Sequence, residues 1–368
     1  MGRPCPATLG NMKLLVTGGA GFVGSEYVRS MLGGAYEGYE NAEITVLDKL
    51  TYAGSLTNIP ADDPRLTFVR GDIADRELLL DLLPGHDAVV HFAAESHVDR
   101  SLLDASPFTT TNVLGTQTLL DCCLRTGISR VVQVSTDEVY GTIAHGSWTE
   151  DHPLLPNSPY AASKAAADLL ARSYHRSHGL PVVITRCSNN YGPYQHVEKM
   201  IPRFVTNLLS GRPVPLYGDG RNVREWLHVA DHCRGVQLAL GKGRDGEVYH
   251  LGSGTELTNR DLTAELLRLC GADWDAVRPV ADRKGHDLRY SLDDSKARRE
   301  LGYAPQVPFE SGLAEVVAWY RTNSDRWADE SERHHTQAAP EPAMPGPDTE
   351  EQGSMNMKAV GTTAAVSR

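Results

Sequence analysis

From Lys13 onward, short apolar runs rich in β-branched residues alternate with stretches whose apolar positions recur at helical spacing. Six runs read as strands: KLLVTGG from Lys13, EITVLD from Glu43, LTFVRGD from Leu66, AVVHFA from Ala88, RVVQVST from Arg130 and PVVITR from Pro181. Between them, Arg76 to Leu83, Phe108 to Arg125 and Ala161 to His178 have the length and period of helices. Strands that are apolar without interruption have no face to offer water. The pattern therefore predicts an α/β protein with a doubly wound parallel sheet, covered by helices on both sides. In such a sheet a ligand sits beyond the carboxyl ends of the strands.

After about Tyr191 the alternation becomes irregular and rich in turns, with GRPVPLYGDGR at Gly211 to Arg221, a second turn at Gly241 to Gly246, and GSGTELTN. This reads as a smaller α+β lobe that closes over the sheet edge. A stretch around Trp226 to Leu240 has the character of a return to the first domain. The expected division is a flexible leader at 1–12, a sheet domain at 13–190 joined by 222–250, a substrate lobe made of 191–221 and 251–323, and a disordered tail at 324–368. The tail is assigned on composition: AAPEPAMPGPDTEEQGS is polar, acidic and Pro-rich, too poor in apolar surface to offset its ordering entropy.

Composition narrows the class. The net charge of -11 opposes a broad footprint for nucleic acid or an anionic membrane, both of which need clustered Lys and Arg. An anionic small substrate would need a local basic pocket. The six cysteines include no CxxC pair and no zinc spacing, so they read as free thiols of a cytoplasmic protein. No run of about 18 apolar residues and no apolar signal core is present, so neither a membrane span nor secretion is expected.

TGGAGFVG, Thr17 to Gly24, follows the first strand and opens a helix, with Gly18, Gly21 and Gly24 at three-residue spacing. Glycines in such a turn allow backbone to approach a pyrophosphate, with the helix amino terminus facing the anion; this is a Rossmann-type dinucleotide turn. Asp48 ends the second strand, where its carboxylate can accept hydrogen bonds from an adenosine ribose and repel the additional phosphate of NADP. NAD is the expected cofactor. Asp72 and Ile73 end the third strand, where they meet the adenine, unless Asp72 caps the following helix.

Tyr160 and Lys164, in YAASK, share a helix face, and an ammonium beside a phenol would lower the phenol's pKa so that Tyr160 could take a proton from a sugar hydroxyl as hydride leaves. STDEVYG, Ser135 to Gly141, follows the fifth strand, so Thr136, Asp137 and Glu138 emerge at its carboxyl edge. Two adjacent carboxyl groups can divide acid and base work if their surroundings separate their pKa values. The competing reading is a helix cap by Asp137 beside a solvated Glu138.

With these residues in place, the chain from about Lys13 to Tyr320 resembles the extended short-chain dehydrogenase/reductases and, within them, the dTDP-glucose 4,6-dehydratases. The blocks that carry the resemblance are TGGAGFVG, YxxxK, the Asp-Glu pair after Thr136, HFAAESHVDRS, CSNNYGPYQ, YGDGRNVREWLHV and DRKGHDLRY. The acid pair separates this group from related epimerases and decarboxylases. The resemblance implies transient oxidation of a nucleotide sugar by NAD, elimination of water with Glu138 as base and Asp137 as acid, and return of the hydride. Thr136 would bond the reacting hydroxyl.

For the cofactor site the resemblance adds Phe22, Val23, Lys49, Leu50, Thr51, Phe92, Ala93, Ala94, Ser96, Thr111 and Asn190 to the glycines, Asp48, Asp72, Ile73, Tyr160 and Lys164. For dTDP-glucose it implies Ser96, Thr136, Asn189, Lys199, Met200, Pro215, Leu216, Tyr217, Arg224, Asn259, Asp282, Arg283, His286 and Tyr290. Arg224 is the candidate for the diphosphate, because its planar fork can hold phosphate oxygens bidentately; a surface ion pair is the other role open to it. Met200 stands where that family more often has Leu. No metal is assigned: His228 and His232 have the spacing of a helical metal pair but lack a third ligand. His97 reads as positioning the loop after the fourth strand. A homodimer packed through the long helices is implied by the resemblance. A related epimerase or decarboxylase, or a non-catalytic NAD-binding regulator, are the alternatives, and the acid pair together with Tyr160 and Lys164 argues against both.

Overall fold

The computed structural model describes residues 11–337 of the 368. Its elements are β1 (Lys13–Thr17), α1 (Phe22–Leu32), β2 (Glu43–Asp48), β3 (Leu66–Arg70), α2 (Arg76–Leu82), β4 (Ala88–His91), α3 (Val98–Leu103), α4 (Ser106–Phe108), α5 (Thr116–Thr126), β5 (Arg130–Thr136), α6 (Pro159–His178) and β6 (Val182–Cys187). There follow β7 (Asn189–Tyr191), α7 (Met200–Leu209), β8 (Val214–Tyr217), β9 (Val223–His228), α8 (Val229–Lys242), β10 (Val248–Leu251), β11 (Glu256–Thr258), α9 (Asn259–Cys270), β12 (Val277–Val280), α10 (Ser295–Leu301), α11 (Phe309–Thr322) and α12 (Ser324–Gln337).

Seven strands form one sheet in the order β10-β6-β5-β4-β1-β2-β3, every neighbouring pair parallel. The six strands expected from the apolar runs are all in it. Its two faces support separate cores. On one, Tyr27, Val28 and Met31 of α1 and Cys233, Val236 and Leu240 of α8 pack on Val16, Val46 and Val183; on the other, Leu79 of α2, Leu119 and Leu120 of α5 and Ala171 of α6 pack on Leu15, Val89 and Val131. Leu119 and Leu120 are fully buried, each worth about 1.5–3 kcal/mol relative to exposure. Because the order reverses between β1 and β4, a crevice opens at their carboxyl ends.

The smaller lobe holds a three-stranded sheet, β11-β9-β7, and a parallel pair, β12-β8. A third core gathers Ile201, Phe204 and Val205 of α7, Leu262 and Leu266 of α9, and Leu313, Val316 and Val317 of α11. Among the described residues no helix is long and apolar enough to cross a membrane.

Several boundaries differ from the sequence reading. Met12, placed in the leader, is fully buried in the first core; residues 1–10 lie outside the described part. β9 pairs with β7 and β11, not with the large sheet, so the returning segment begins at α8. A second return was not foreseen: α10 packs on α8 and β10, and Ala297, Leu301 and Tyr303 join the first core. The helix expected over Phe108 to Arg125 is broken in type, with a π-helical stretch at Thr109–Gly115 between α4 and α5.

The disordered tail is corrected over Ser324–Gln337, which is helical. Trp327 explains it: this side chain is 7% exposed, belongs to the third core, and its indole N–H donates to the Tyr320 carbonyl at 2.7 Å. One large aromatic anchors a helix whose other residues are nearly all polar, and composition averaged over the segment hides it. The remainder of the tail, 338–368, lies outside the described residues.

Candidate active site

The turn between β1 and α1 is built so that only glycine fits. Gly18 has φ +70°, and a Cβ there would lie 2.5 Å from the Ala93 nitrogen; at Gly24 it would lie 2.3 Å from the Gly18 carbonyl oxygen. α1 begins at Phe22 with no side chain capping it, leaving its first N–H groups for a ligand. Asp48 is braced by backbone: one carboxylate oxygen accepts from the Ala20 N–H at 3.0 Å, the other from the Leu50 N–H at 2.8 Å. Asp72 accepts from Lys49 Nζ at 2.6 Å, and the cap of α2 is Asp75, which accepts from the Leu78 N–H.

All the cofactor-site candidates line this cleft except Leu50. Leu50 holds a left-handed backbone, φ 55°, in which its N–H, not its side chain, serves the site by fixing Asp48. The π-helical stretch brings Thr111 to the cleft. Beside it, buried Asn112 accepts from the Glu95 N–H and donates to the Glu95 carbonyl and to Ser163 Oγ, tying the loop after β4 to α6.

α6 is delimited by strong local signals. Ser158 caps it by accepting from the Ala161 N–H at 3.1 Å, Pro159 sits in its first turn, and Gly179 ends it at φ 71°. Tyr160 and Lys164 therefore lie one turn apart, both buried at the carboxyl edge of the sheet. The phenol lines the cleft together with Thr136, while Lys164 Nζ donates to the Val134 carbonyl at 2.7 Å. Burial pushes the Tyr160 hydroxyl well up and the Lys164 amine down. The expected lowering of the phenol by Lys164 is not what dominates here, because β5 holds the ammonium and desolvation, followed by the Glu138 charge, governs Tyr160.

At the end of β5, Thr136 caps a 3-10 turn over Asp137–Tyr140 by accepting from the Glu138 N–H, and its hydroxyl donates to Asp137 at 3.1 Å. The cap is thus Thr136, and neither carboxyl group is turned to bulk water. Asp137 is 1% exposed, with Oδ2 unpartnered by protein. Burial pushes its carboxyl well up, reinforced by Glu138 and Glu225. Glu225 is itself a buried acid, held by the N–H groups of Ser253 at 2.6 Å, Gly254 at 2.8 Å and Leu292 at 2.9 Å. Burial also raises Glu138, but Lys199 and Arg224 pull it back. The two neighbours thus differ in the direction intended for an acid and a base: Asp137 keeps its proton and Glu138 gives its own up more readily.

A second cavity adjoins the first, and Glu138, Asn189, Asn190, Gln195 and Lys199 line both. Every substrate candidate lines the second cavity except Ser96 and Thr136, which line the first, and Asp282. Asp282 instead shares a 2.6 Å hydrogen bond with His286 Nδ1, orienting a ring that does line the cavity. Arg224 is buried, not a surface ion-pair partner: it donates to the carbonyls of Val223 and Asp287 and lies over the Tyr290 ring at 4.2 Å. Arg283 is held by Asp99 through two bonds, 2.5 and 2.8 Å, and Lys199 Nζ donates to the Ser96 carbonyl at 2.7 Å. Three cations thus face one cavity, a local basic wall in an acidic protein.

The sequence reading missed Asp99, Gln195, His196, Glu198 and His232 as site residues, all of which line one cavity or the other. Most fall inside the quoted blocks HFAAESHVDRS and CSNNYGPYQ or directly after them, and that adjacency was the available signal. His228 caps α8 by accepting from the Ala230 N–H, and burial pushes His232 down to about 3; His97 caps α3.

A Tyr-Lys helix crossing the carboxyl edge of a parallel sheet, over a glycine turn, is the architecture of the extended short-chain dehydrogenase/reductases. The model of the GDP-mannose 4,6 dehydratase family matches residues 15–316. A dTDP-glucose 4,6-dehydratase of Streptomyces antibioticus is 62% identical over 337 residues, covering 91% of this chain and 100% of that one. Among solved structures, DesIV, a dTDP-glucose 4,6-dehydratase from Streptomyces venezuelae with NAD and TYD bound, is 66% identical with a TM-score of 0.86, covering 86% of this chain and 99% of that one. A UDP-glucose 4-epimerase from Thermus thermophilus in complex with NAD is 32% identical with a TM-score of 0.78, over 85% of this chain and 100% of that one. The chain belongs to the GDP-mannose 4,6-dehydratase family.

Proposed function

We propose that the chain is a hydro-lyase that converts dTDP-glucose to dTDP-4-keto-6-deoxyglucose and water, with NAD as a cofactor regenerated in each turnover. The observation that carries this reading is the Asp137–Glu138 pair where the two cavities meet, Asp137 buried and Glu138 half-buried, so that their environments differ. The 62% identical relative is named for the same reaction.

NAD fits the residues present: Gly18 and Gly24 let the turn pack against the backbone of Ala93 and Gly18, the start of α1 carries no side-chain cap, and Asp48 stands braced where it repels an additional phosphate. Held by the glycine turn and Asp48, NAD would supply a reversible hydride store between the sugar's fourth and sixth carbons. Tyr160 would take the proton of the fourth-carbon hydroxyl as its phenolate, an ionisation that burial opposes and the positive charge of oxidised NAD would favour. Thr136, which lines the same cleft, orients that hydroxyl. The ketone so formed acidifies the fifth carbon. Glu138 removes the proton there while Asp137 delivers its own to the hydroxyl on the sixth carbon, which leaves as water. Glu138 then returns a proton to the fifth carbon, and exchange with solvent carries off the proton gained by Tyr160 and restores the one given up by Asp137, so the sugar loses one water with no net redox change. Arg224, which is buried, and Lys199 and Arg283, which are half-buried, hold the diphosphate with reduced competition from solvent.

The test is incubation of the purified protein with dTDP-glucose and mass analysis of the nucleotide sugar. Loss of one water is the expected result; an isomer of unchanged mass would point to an epimerase, and no turnover to a non-catalytic NAD-binding protein. Two subsidiary readings accompany the main one. The chain works as a homodimer, which the exposed Leu103, Leu114 and Leu169 on and beside the helices of one flank support. It works in the cytoplasm, which the free, mostly buried cysteines among the described residues suit.

A further inference from the structure

α12 does more than cover the third core. Anchored by Trp327, it sends two side chains to opposite lips of the cofactor cleft. Arg326 donates from Nη2 to the Thr57 carbonyl at 2.8 Å, on the loop after β2 whose Thr51, Ala53 and Gly54 line the cleft. Glu330 pairs with His196 Nε2 at 2.5 Å, on the turn after β7 whose Gln195 and His196 line the cleft from the other side.

The lips themselves meet. The Tyr52 and His196 rings contact edge-on, 5.5 Å between centroids, and Arg100 lies over Tyr52 at 3.9 Å while binding Glu198 two residues beyond His196. The second lip is held in a backbone it would not choose alone: Tyr194 has φ 66°, and its ring receives both Arg29 at 3.9 Å and Arg326 at 4.8 Å. Arg326 therefore touches both lips, and α12 lies beyond the residues that the family model matches.

We propose that α12 is a clasp on the cofactor, in which Arg326 and Glu330 are positioning residues that hold the Tyr52 and His196 lips together and so set the rate at which NAD leaves. The inference rests on NAD occupying this cleft. It assigns α12 no part in the chemistry. A helix that served only to cover the core would act through Trp327 and through any of its surface ion pairs alike, including Arg212–Glu332, which pins α12 to the start of the β8 segment and reaches neither lip.

The experiment loads the full-length protein with labelled NAD, chases with unlabelled NAD, and follows retained label by rapid filtration. The Arg326→Ala, Glu330→Ala double variant is expected to release label about tenfold faster than the parent, the scale of losing partly exposed charge-assisted hydrogen bonds. Glu332→Ala, on the same helix, is expected to release it at the parent rate. Equal release from the double variant and the parent overturns the proposal, as does equal acceleration by Glu332→Ala. Should the double variant fail to fold, Arg326→Gln and Glu330→Gln singly carry the same comparison: faster release supports the clasp and unchanged release overturns it. A parent protein that retains no label overturns the NAD reading and the clasp together, whereas a parent that retains it and variants that match it sink the clasp alone.

Discussion

In the cofactor half of the cleft the walls are largely backbone: a glycine turn, an uncapped helix start, and a carboxylate at Asp48 whose orientation is set by two main-chain N–H groups. In the substrate half they are long side chains, Arg224, Arg283 and Lys199, held by carbonyl oxygens and by Asp99. The first half recognises a shape common to many enzymes. The second presents charge and is assembled from α3, α7, β8, β9, α9 and the segment before α10. The two halves meet at a seam, where Glu138 lines both and where the proposed chemistry falls.

If the halves are separable, variants at the seam should stop the reaction without emptying either side. Glu138→Gln should lower the dehydration rate by about a hundredfold to ten-thousandfold, and Asp137→Asn by a similar factor, with NAD bound as tightly as in the parent. Turnover assays and a cofactor titration together check this; cofactor loss in either variant would break the division.

Arg224→Ala should raise the KM for dTDP-glucose by roughly tenfold to a hundredfold, the worth of hydrogen bonds to a charged partner at about 1.5–3 kcal/mol, with kcat changed less and NAD affinity untouched. Arg224→Lys should recover only part, since an ammonium lacks the fork. Steady-state kinetics on both variants sharpen the assignment of that wall. Gly18→Ala is the mirror experiment: the left-handed backbone and the overlap with Ala93 should cost about 1–3 kcal/mol of stability and weaken NAD, measured by thermal melts and cofactor titration, while the sugar's KM at saturating NAD stays near its parent value.

The smallest effect concerns pH. Asp137 holds its proton more tightly folded than unfolded, so ionising it opposes folding. That penalty is absent well below its ordinary value of 3.8 and grows as pH climbs toward the raised folded value. Asp137→Asn should therefore gain stability relative to the parent as pH rises from about 4 to 8, and melts across that range should show the gap widening. In the parent, the rate should fall at low pH as Glu138 takes up a proton and at high pH as Asp137 loses one, a bell whose limbs belong to the pair.

The cofactor half was the more legible because its determinants are close in sequence and enforced by backbone: three glycines and the strand-end Asp48 identify it from spacing alone. The substrate half became legible only through resemblance, since nothing in the local pattern brings Arg283 to Arg224. What escaped entirely were polar residues whose importance comes from burial, such as Glu225 and Glu198, and segments whose fate is decided by a single contact. Trp327 turns a polar stretch into a helix, and Tyr303 with Leu301 returns α10 to a core its neighbours do not share. Asp282 and Leu50 were placed in walls because their neighbours are; the side chain of one orients His286, and the other contributes only its N–H.

The π-helical stretch at Thr109–Gly115 acts as a phase shifter. Downstream of it, α5 turns Leu119 and Leu120 toward the sheet; within it, Thr111 reaches the cofactor cleft and Asn112 the tie to α6. Deleting one residue there would leave a smoother, longer α-helix with almost the same composition, yet it would rotate everything upstream by about 100° relative to α5. A change that improves the regularity of the helix would thereby unlatch the loop after β4 from the helix that carries Tyr160.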